Sequence, residues 1–202
     1  MAAHCCRYYC IGGIKQPCPP GTFGATYGLH SKACSGPCRA GFTCPEASVH
    51  DDEVACGAQD YYCPAGAGVR TAVSVGYYTT EGSTHNRVSQ ALCGPKGYWC
   101  AEGVRKKCPA GRYGDAVGMT TAGCTAECPT RHYCPEGSPT PIQCPAGTFG
   151  AETGLTTSHC SGLCAAGFYC PQASVSPRQK ECGGEDFYCP IGSMVAVAVA
   201  KG

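Results

Sequence analysis

Alternation of apolar and polar positions is clearest over residues 69–75, where Val69, Thr71, Val73 and Val75 recur at every second position and lead into Gly76-Tyr77-Tyr78-Thr79-Thr80. That period predicts a strand, one side of a small antiparallel sheet completed by residues 86–92. A similar stripe, Val195, Val197 and Val199, lies near residue 202; it is expected to expose a strand edge able to pair with another repeat or subunit by β-augmentation. Elsewhere the apolar positions are isolated aromatics, often placed immediately before a cysteine: Tyr9-Cys10, Tyr62-Cys63, Trp99-Cys100, Tyr133-Cys134, Tyr169-Cys170 and Tyr188-Cys189. Such rings are expected to pack on disulfides as miniature cores rather than to form a recognition surface. No segment approaches the roughly 18 consecutive apolar residues of a membrane-spanning helix.

The chain also repeats itself. Residues 18–76 align without a gap on 144–202, with 32 of 59 positions identical. A shorter echo at an offset of 90 places Cys10, Cys18, Cys34, Cys38 and Cys44 on Cys100, Cys108, Cys124, Cys128 and Cys134. The shared unit is CPPGTFGATYGLHSKACSGPC, CPAGRYGDAVGMTTAGCTAEC and CPAGTFGAETGLTTSHCSGLC. Proline after cysteine holds the chain extended, and the glycines permit tight turns with positive φ. Phe23, Tyr113 and Phe149 stand where a ring can cover a disulfide.

Composition makes cross-linking a necessity. There are 21 cysteines in 202 residues, against 25 Leu, Ile, Val and Phe together, too few for one conventional core in a chain this long. Twenty-nine glycines and sixteen prolines fit a loop-rich chain, and a net charge of +1 offers no basic face for nucleic acid. The cysteine framework is read as Cys10, Cys18, Cys34, Cys38, Cys44, Cys56, Cys63, Cys93, Cys100, Cys108, Cys124, Cys128, Cys134, Cys144, Cys160, Cys164, Cys170, Cys182 and Cys189. Its connectivity stays open, since six cysteines alone admit about 15 pairings. Cys5 and Cys6 are adjacent, and one of them is left over to pair outside this segment.

The openings at Cys18, Cys108 and Cys144, with their following C-x3-C pairs, resemble the ephrin-receptor-like cysteine-rich module, a relative of EGF-like and tumour-necrosis-factor-receptor-like repeats. The resemblance covers residues 10–63 and 93–189. It implies an elongated extracellular stalk, fibre or adhesive array. The family's usual second pair is C-x2-C, so its bond pattern does not transfer to these residues.

The fold class expected is small, disulfide-rich, mostly β or irregular, an elongated tandem array of modules with short β-hairpins. Residues 1–17 would end a preceding module. Modules would span 18–63, 100–143 and 144–189, with a Val/Tyr-rich β spacer at 64–99 and the start of another at 190–202. Met1-Ala2-Ala3-His4 shows no signal peptide and residue 202 interrupts a repeat, so a window on a longer array is expected.

Candidate chemistry is sparse. Cys34/Cys38, Cys124/Cys128 and Cys160/Cys164 have a zinc half-site spacing but no close second pair. None of the six histidines meets a histidine at its repeat equivalent, and no catalytic triad, phosphate-binding loop or H-E-x-x-H is present. Asp51-Asp52-Glu53 and Glu185-Asp186 lack the spread of a calcium loop and read as solvated surface. The only asparagine, Asn86, is outside any N-glycosylation sequon. Ser138-Pro139-Thr140-Pro141 and Ser176-Pro177 are candidate O-glycosylation segments. The expectation is a non-catalytic structural repeat protein, extracellular or on a cell surface, self-associating into a fibre, appendage or coat, with covalent glycans and no cofactor. A ligand- or glycan-binding ectodomain is the rival reading.

Overall fold

A computed structural model describes residues 6–200. Among the described residues there is no helix, and every strand pairs with one other strand only. The recurring local unit is a tight turn ahead of an aromatic. The N–H of Thr22 donates to Pro19 O, Phe42 to Arg39 O, Arg112 to Pro109 O and Phe168 to Ala165 O, at 3.1–3.2 Å. Two residues of strand follow each turn and find an antiparallel partner: Thr22–Phe23 with Gly36–Pro37, Phe42–Thr43 with Val54–Ala55, Thr148–Phe149 with Gly162–Leu163. Longer four-residue pairs join Tyr8–Ile11 to Ile14–Pro17 and Tyr77–Thr80 to Ser89–Leu92.

A second turn uses the Cys-Pro step. In C-P-x-[GA]-S the serine hydroxyl returns to the proline carbonyl, at 2.6–2.7 Å from Ser48, Ser138, Ser174 and Ser193, and the N–H groups of Ser48, Ser138 and Ser193 donate to the same carbonyl. The residue before each serine has positive φ: Ala47, Gly137, Ala173 and Gly192. Proline presets the first corner and the serine hydroxyl satisfies the turn internally.

These turns are locked together by a bridging residue. Arg7, Gly21, Gly41, Gly97, Gly111, Arg131, Gly147 and Gly167 all lie in the left-handed region, at φ from 71° to 88°. Each accepts at its carbonyl the N–H of a framework cysteine, as in Cys18 to Arg7, Cys38 to Gly21, Cys144 to Arg131 and Cys164 to Gly147. Each also donates its own N–H to a carbonyl further along, as in Gly21 to Cys44, Gly41 to Cys63, Gly147 to Cys170 and Gly167 to Cys189. One residue with inverted φ thus turns both its peptide groups into cross-links between successive turns.

The buried apolar side chains are cystine sulfurs, with Tyr9 and Ala67 as the additions. Large apolar residues such as Val69, Ile191 and Met194 are exposed. The described residues form two compact units. One comprises the described residues up to Leu92 with Cys100–Arg105; the other comprises Cys93–Trp99 with the described residues from Lys106 onward. In the first, the 83–88 loop covers the end of the cysteine-rich stretch: Gly57 N–H donates to His85 O and Cys63 N–H to Arg87 O. Residues 100–105 belong there because Thr79 donates its N–H to Gly103 O at 3.0 Å. Its buried hydroxyl lies 2.7 Å from Gln59 O and 3.2 Å from Gly103 O.

One expectation is corrected. The 69–75 stripe is not a continuous strand. Only Thr71–Ala72 is extended, and it pairs with Tyr61–Tyr62, while Ser89–Leu92 takes Tyr77–Thr80 as its partner. Val73 N–H goes to Asp60 O and the chain then turns at Ser74, which leaves Val69 and Val75 at 76% and 88% exposure with no second layer to bury them. The Val195–Val199 stripe is paired along one side. Val197–Ala198 folds back on Phe187–Tyr188, and Val199 N–H donates to Asp186 O, repeating the closure of Thr71–Ala72.

The bridging glycines differ in what surrounds them. A methyl at Gly167 meets open space, whereas one at Gly21 collides with Gly66 O. Gly167→Ala should cost about 1 kcal/mol, the left-handed conformation alone, and Gly21→Ala about twice that or more. Denaturant unfolding of the two oxidised variants checks the ranking; equal losses would count against it.

Candidate functional site

Cross-linking is the chemistry these cysteines perform. Cys18–Cys34, Cys38–Cys44 and Cys56–Cys63 are bonded, and their repeat equivalents are Cys144–Cys160, Cys164–Cys170 and Cys182–Cys189. Cys108–Cys124 and Cys128–Cys134 repeat the first two bonds, and Cys93 and Cys100 are disulfide-bonded as well. The sequence separations are 16, 6 and 7, so each of these bonds closes a local loop. A separation of 16 stabilises by about 3 kcal/mol and the shorter loops by less. Cys10 lies on the strand Tyr8–Ile11 with its N–H on Leu29 O. Cys6 carries a half-buried thiol 3.9 Å from Ala25 O; Cys5 lies outside the described residues.

The bond pattern dissolves the zinc half-sites. Cys34 and Cys38 belong to different disulfides, as do Cys124/Cys128 and Cys160/Cys164. Among the described residues, no group of three or more His, Cys, Asp or Glu side chains is placed to hold a metal.

The acidic cluster at 51–53 serves its own loop. Glu53 accepts the N–H groups of His50 and Val49 at 3.1 and 3.2 Å, and Asp52 pairs with Arg39 at 2.6 Å. These bonds, the His50 N–H first, hold the Glu53 carboxyl below the ordinary glutamate range. At the repeat equivalent the neutral Gln179 Oε1 accepts the Val175 N–H instead. Tyr27 is pushed above its usual range by its hydrogen bond with the Cys6 thiol.

Of the candidate glycosylation residues, Ser138 is 5% exposed and its hydroxyl donates to Pro135 O. Pro139 and Thr140 are exposed, and Pro141, Ser176 and Pro177 are half-buried.

Aromatic rings take their outward contacts from cations. Arg70 lies 4.0 Å from the Tyr61 ring centre, Arg39 4.7 Å from Phe42, Lys15 4.0 Å from Tyr8 and Arg105 4.7 Å from Tyr78. Composition alone did not reveal this pairing, because the partners come from different turns. Two adjoining clefts lie in the first unit. One cleft of about 430 Å³ is lined by Ala58, Gln59, Asp60, Glu102 and Val104. A second, of about 380 Å³, shares Gln59 and Val104 and continues along Tyr78–Glu81 to Arg87 and Arg105. Sequence reasoning missed both, since they form only when the 101–105 turn meets residues 58–60 and 78–81.

Compared with protein-family models and with curated proteins, the chain matches none.

Because the Glu53 carboxyl titrates lower folded than unfolded, its contribution is full above the ordinary glutamate range and is lost as pH falls through the depressed value. The effect is small at so exposed a site. Glu53→Gln, imitating Gln179, should flatten the acid-side loss of stability. Unfolding midpoints of both forms between neutral and acid pH check this, and parallel curves would refute the assignment.

Proposed function

We propose that this protein is a non-catalytic extracellular structural protein, built from cysteine-rich modules related to ephrin-receptor-like repeats and assembling into a fibre, appendage or surface coat. The observation that carries the reading is the covalent core. The positions a globular protein fills with leucine and phenylalanine are filled here by cystine, and residues 18–63 and 144–189 bear the same three bonds. Disulfides at this density are typical of secreted and cell-surface proteins. Local staples of 6–16 residues keep each turn closed whatever happens to its neighbours, which suits a load-bearing or protease-exposed protein. Repetition of one module supports head-to-tail assembly, because translationally related contacts extend without closing. Tandem elongation follows from the same repetition.

Electron microscopy of the native protein tests this. Filaments or sheets that fall apart on reduction are expected. A particle that stays monomeric at every concentration, oxidised and reduced, would overturn the structural reading and leave the binding-module reading in its place. The two adjoining clefts are the specific observation in favour of that second reading.

A further inference from the structure

The first unit contains a half-buried guanidinium, that of Arg87, which the fold leaves uncompensated. Arg87 has no carboxylate within ion-pair distance among the described residues. Its Nε is buried with no hydrogen-bond partner, and its single side-chain bond is a 3.5 Å contact from Nη1 to Gly82 O. A partly desolvated guanidinium without a counter-charge is costly to the folded chain, and such groups concentrate at binding sites.

Arg87 lines the 380 Å³ cleft together with Arg105. Arg105 lies over the Tyr78 ring and donates to its hydroxyl at 3.1 Å, so this second guanidinium is already oriented. Thr79 clamps Gln59 and Gly103 and thereby holds the two walls of the cleft together. Through the shared Gln59 and Val104 this basic cleft continues into the 430 Å³ cleft, where Asp60 and Glu102 stand. Two guanidiniums thus adjoin two carboxylates and an amide along one open surface.

We propose that the paired clefts bind an anionic saccharide spanning two or more sugar units. A carboxylate or sulfate would seat on Arg87 and Arg105, whose planar donors suit such groups. The hydroxyls of the neighbouring neutral sugar would donate to Asp60 and Glu102. Glu81, on the rim of the basic cleft, opposes the anion and sets a limit on affinity. The net charge of +1 gives the chain no general attraction for polyanions, so retention must come from this local pair. The inference rests on the extracellular reading above but not on filament formation.

The test is titration of the oxidised 202-residue chain with hyaluronan oligosaccharides, chondroitin sulfate oligosaccharides and neutral chito-oligosaccharides of equal length, followed by calorimetry and amide NMR. Binding of either acidic series, with shifts confined to residues 58–60, 78–81, 87 and 102–105, is expected; binding of hyaluronan shows that a carboxylate suffices, and binding of chondroitin sulfate alone shows that a sulfate is required. Arg87→Gln and Arg105→Gln should each weaken binding about tenfold, and Glu81→Gln should strengthen it. Arg87→Gln leaves the backbone carbonyl that receives Cys63 N–H in place, and Arg105→Gln provides an independent variant should the first unfold. No binding of either acidic series, equal binding of the neutral one, or unchanged affinity in both folded arginine variants would overturn the proposal. Loss of filaments with glycan binding retained would refute the structural reading alone.

Discussion

A left-handed residue whose carbonyl receives a cysteine N–H and whose own N–H reaches a later turn is the contact on which the rest of the chain depends. Two-residue strand pairs are far too small to persist in water by themselves. Here most pairs are held at one end by a disulfide and at the other by this two-sided bridge; Tyr61–Tyr62 with Thr71–Ala72 and Phe187–Tyr188 with Val197–Ala198 are closed instead by Val73 N–H on Asp60 O and Val199 N–H on Asp186 O. Removing the sulfur bonds would leave turns with no apolar layer to collapse onto. Removing the bridges would leave closed loops free to swing about their disulfides. The two kinds of cross-link are complementary: one fixes loop length covalently, the other fixes the orientation of one loop on the next.

Placing the core in the backbone and the cystines frees the surface from the usual demands. Valines can stand exposed at 69 and 75 because nothing relies on burying them. Aromatic rings can sit half-buried, their outer faces occupied by arginine and lysine. Loops between cysteines can then vary without disturbing the module, as Glu53 and Gln179 illustrate by capping equivalent turns with different chemistry. Such a scaffold tolerates local elaboration, and the cleft around Arg87 is an example: it uses the 77–92 hairpin and the 101–105 turn rather than the cysteine-rich stretch itself.

Much of the fold was legible before any coordinates. The Cys-Pro and glycine steps announced the turns, and the 126-residue offset announced that bonds would recur. The connectivity was not legible, because spacing constrains which cysteines are near in sequence and says nothing of which Cβ vectors face each other. The 69–75 strand was misread because alternation at period two signals a face only where a second layer exists to bury it. Arg7 and Arg131 were invisible as bridging residues, since arginine carries no local signal for positive φ and adopts it only where surrounding bonds compel it.

The order of cysteines, prolines, glycines and aromatics by itself determined that this chain is cross-linked, turn-rich, repetitive and short of an apolar core. Those properties follow from side-chain inventory and local backbone preference. Tertiary structure alone decided that Cys34 joins Cys18 rather than Cys38, that Val197 closes on Tyr188, and that Arg87 and Arg105 meet at one cleft. Each of these depends on where a turn aims the chain several residues later, and that direction is set by hydrogen bonds between turns, which no single stretch of sequence contains.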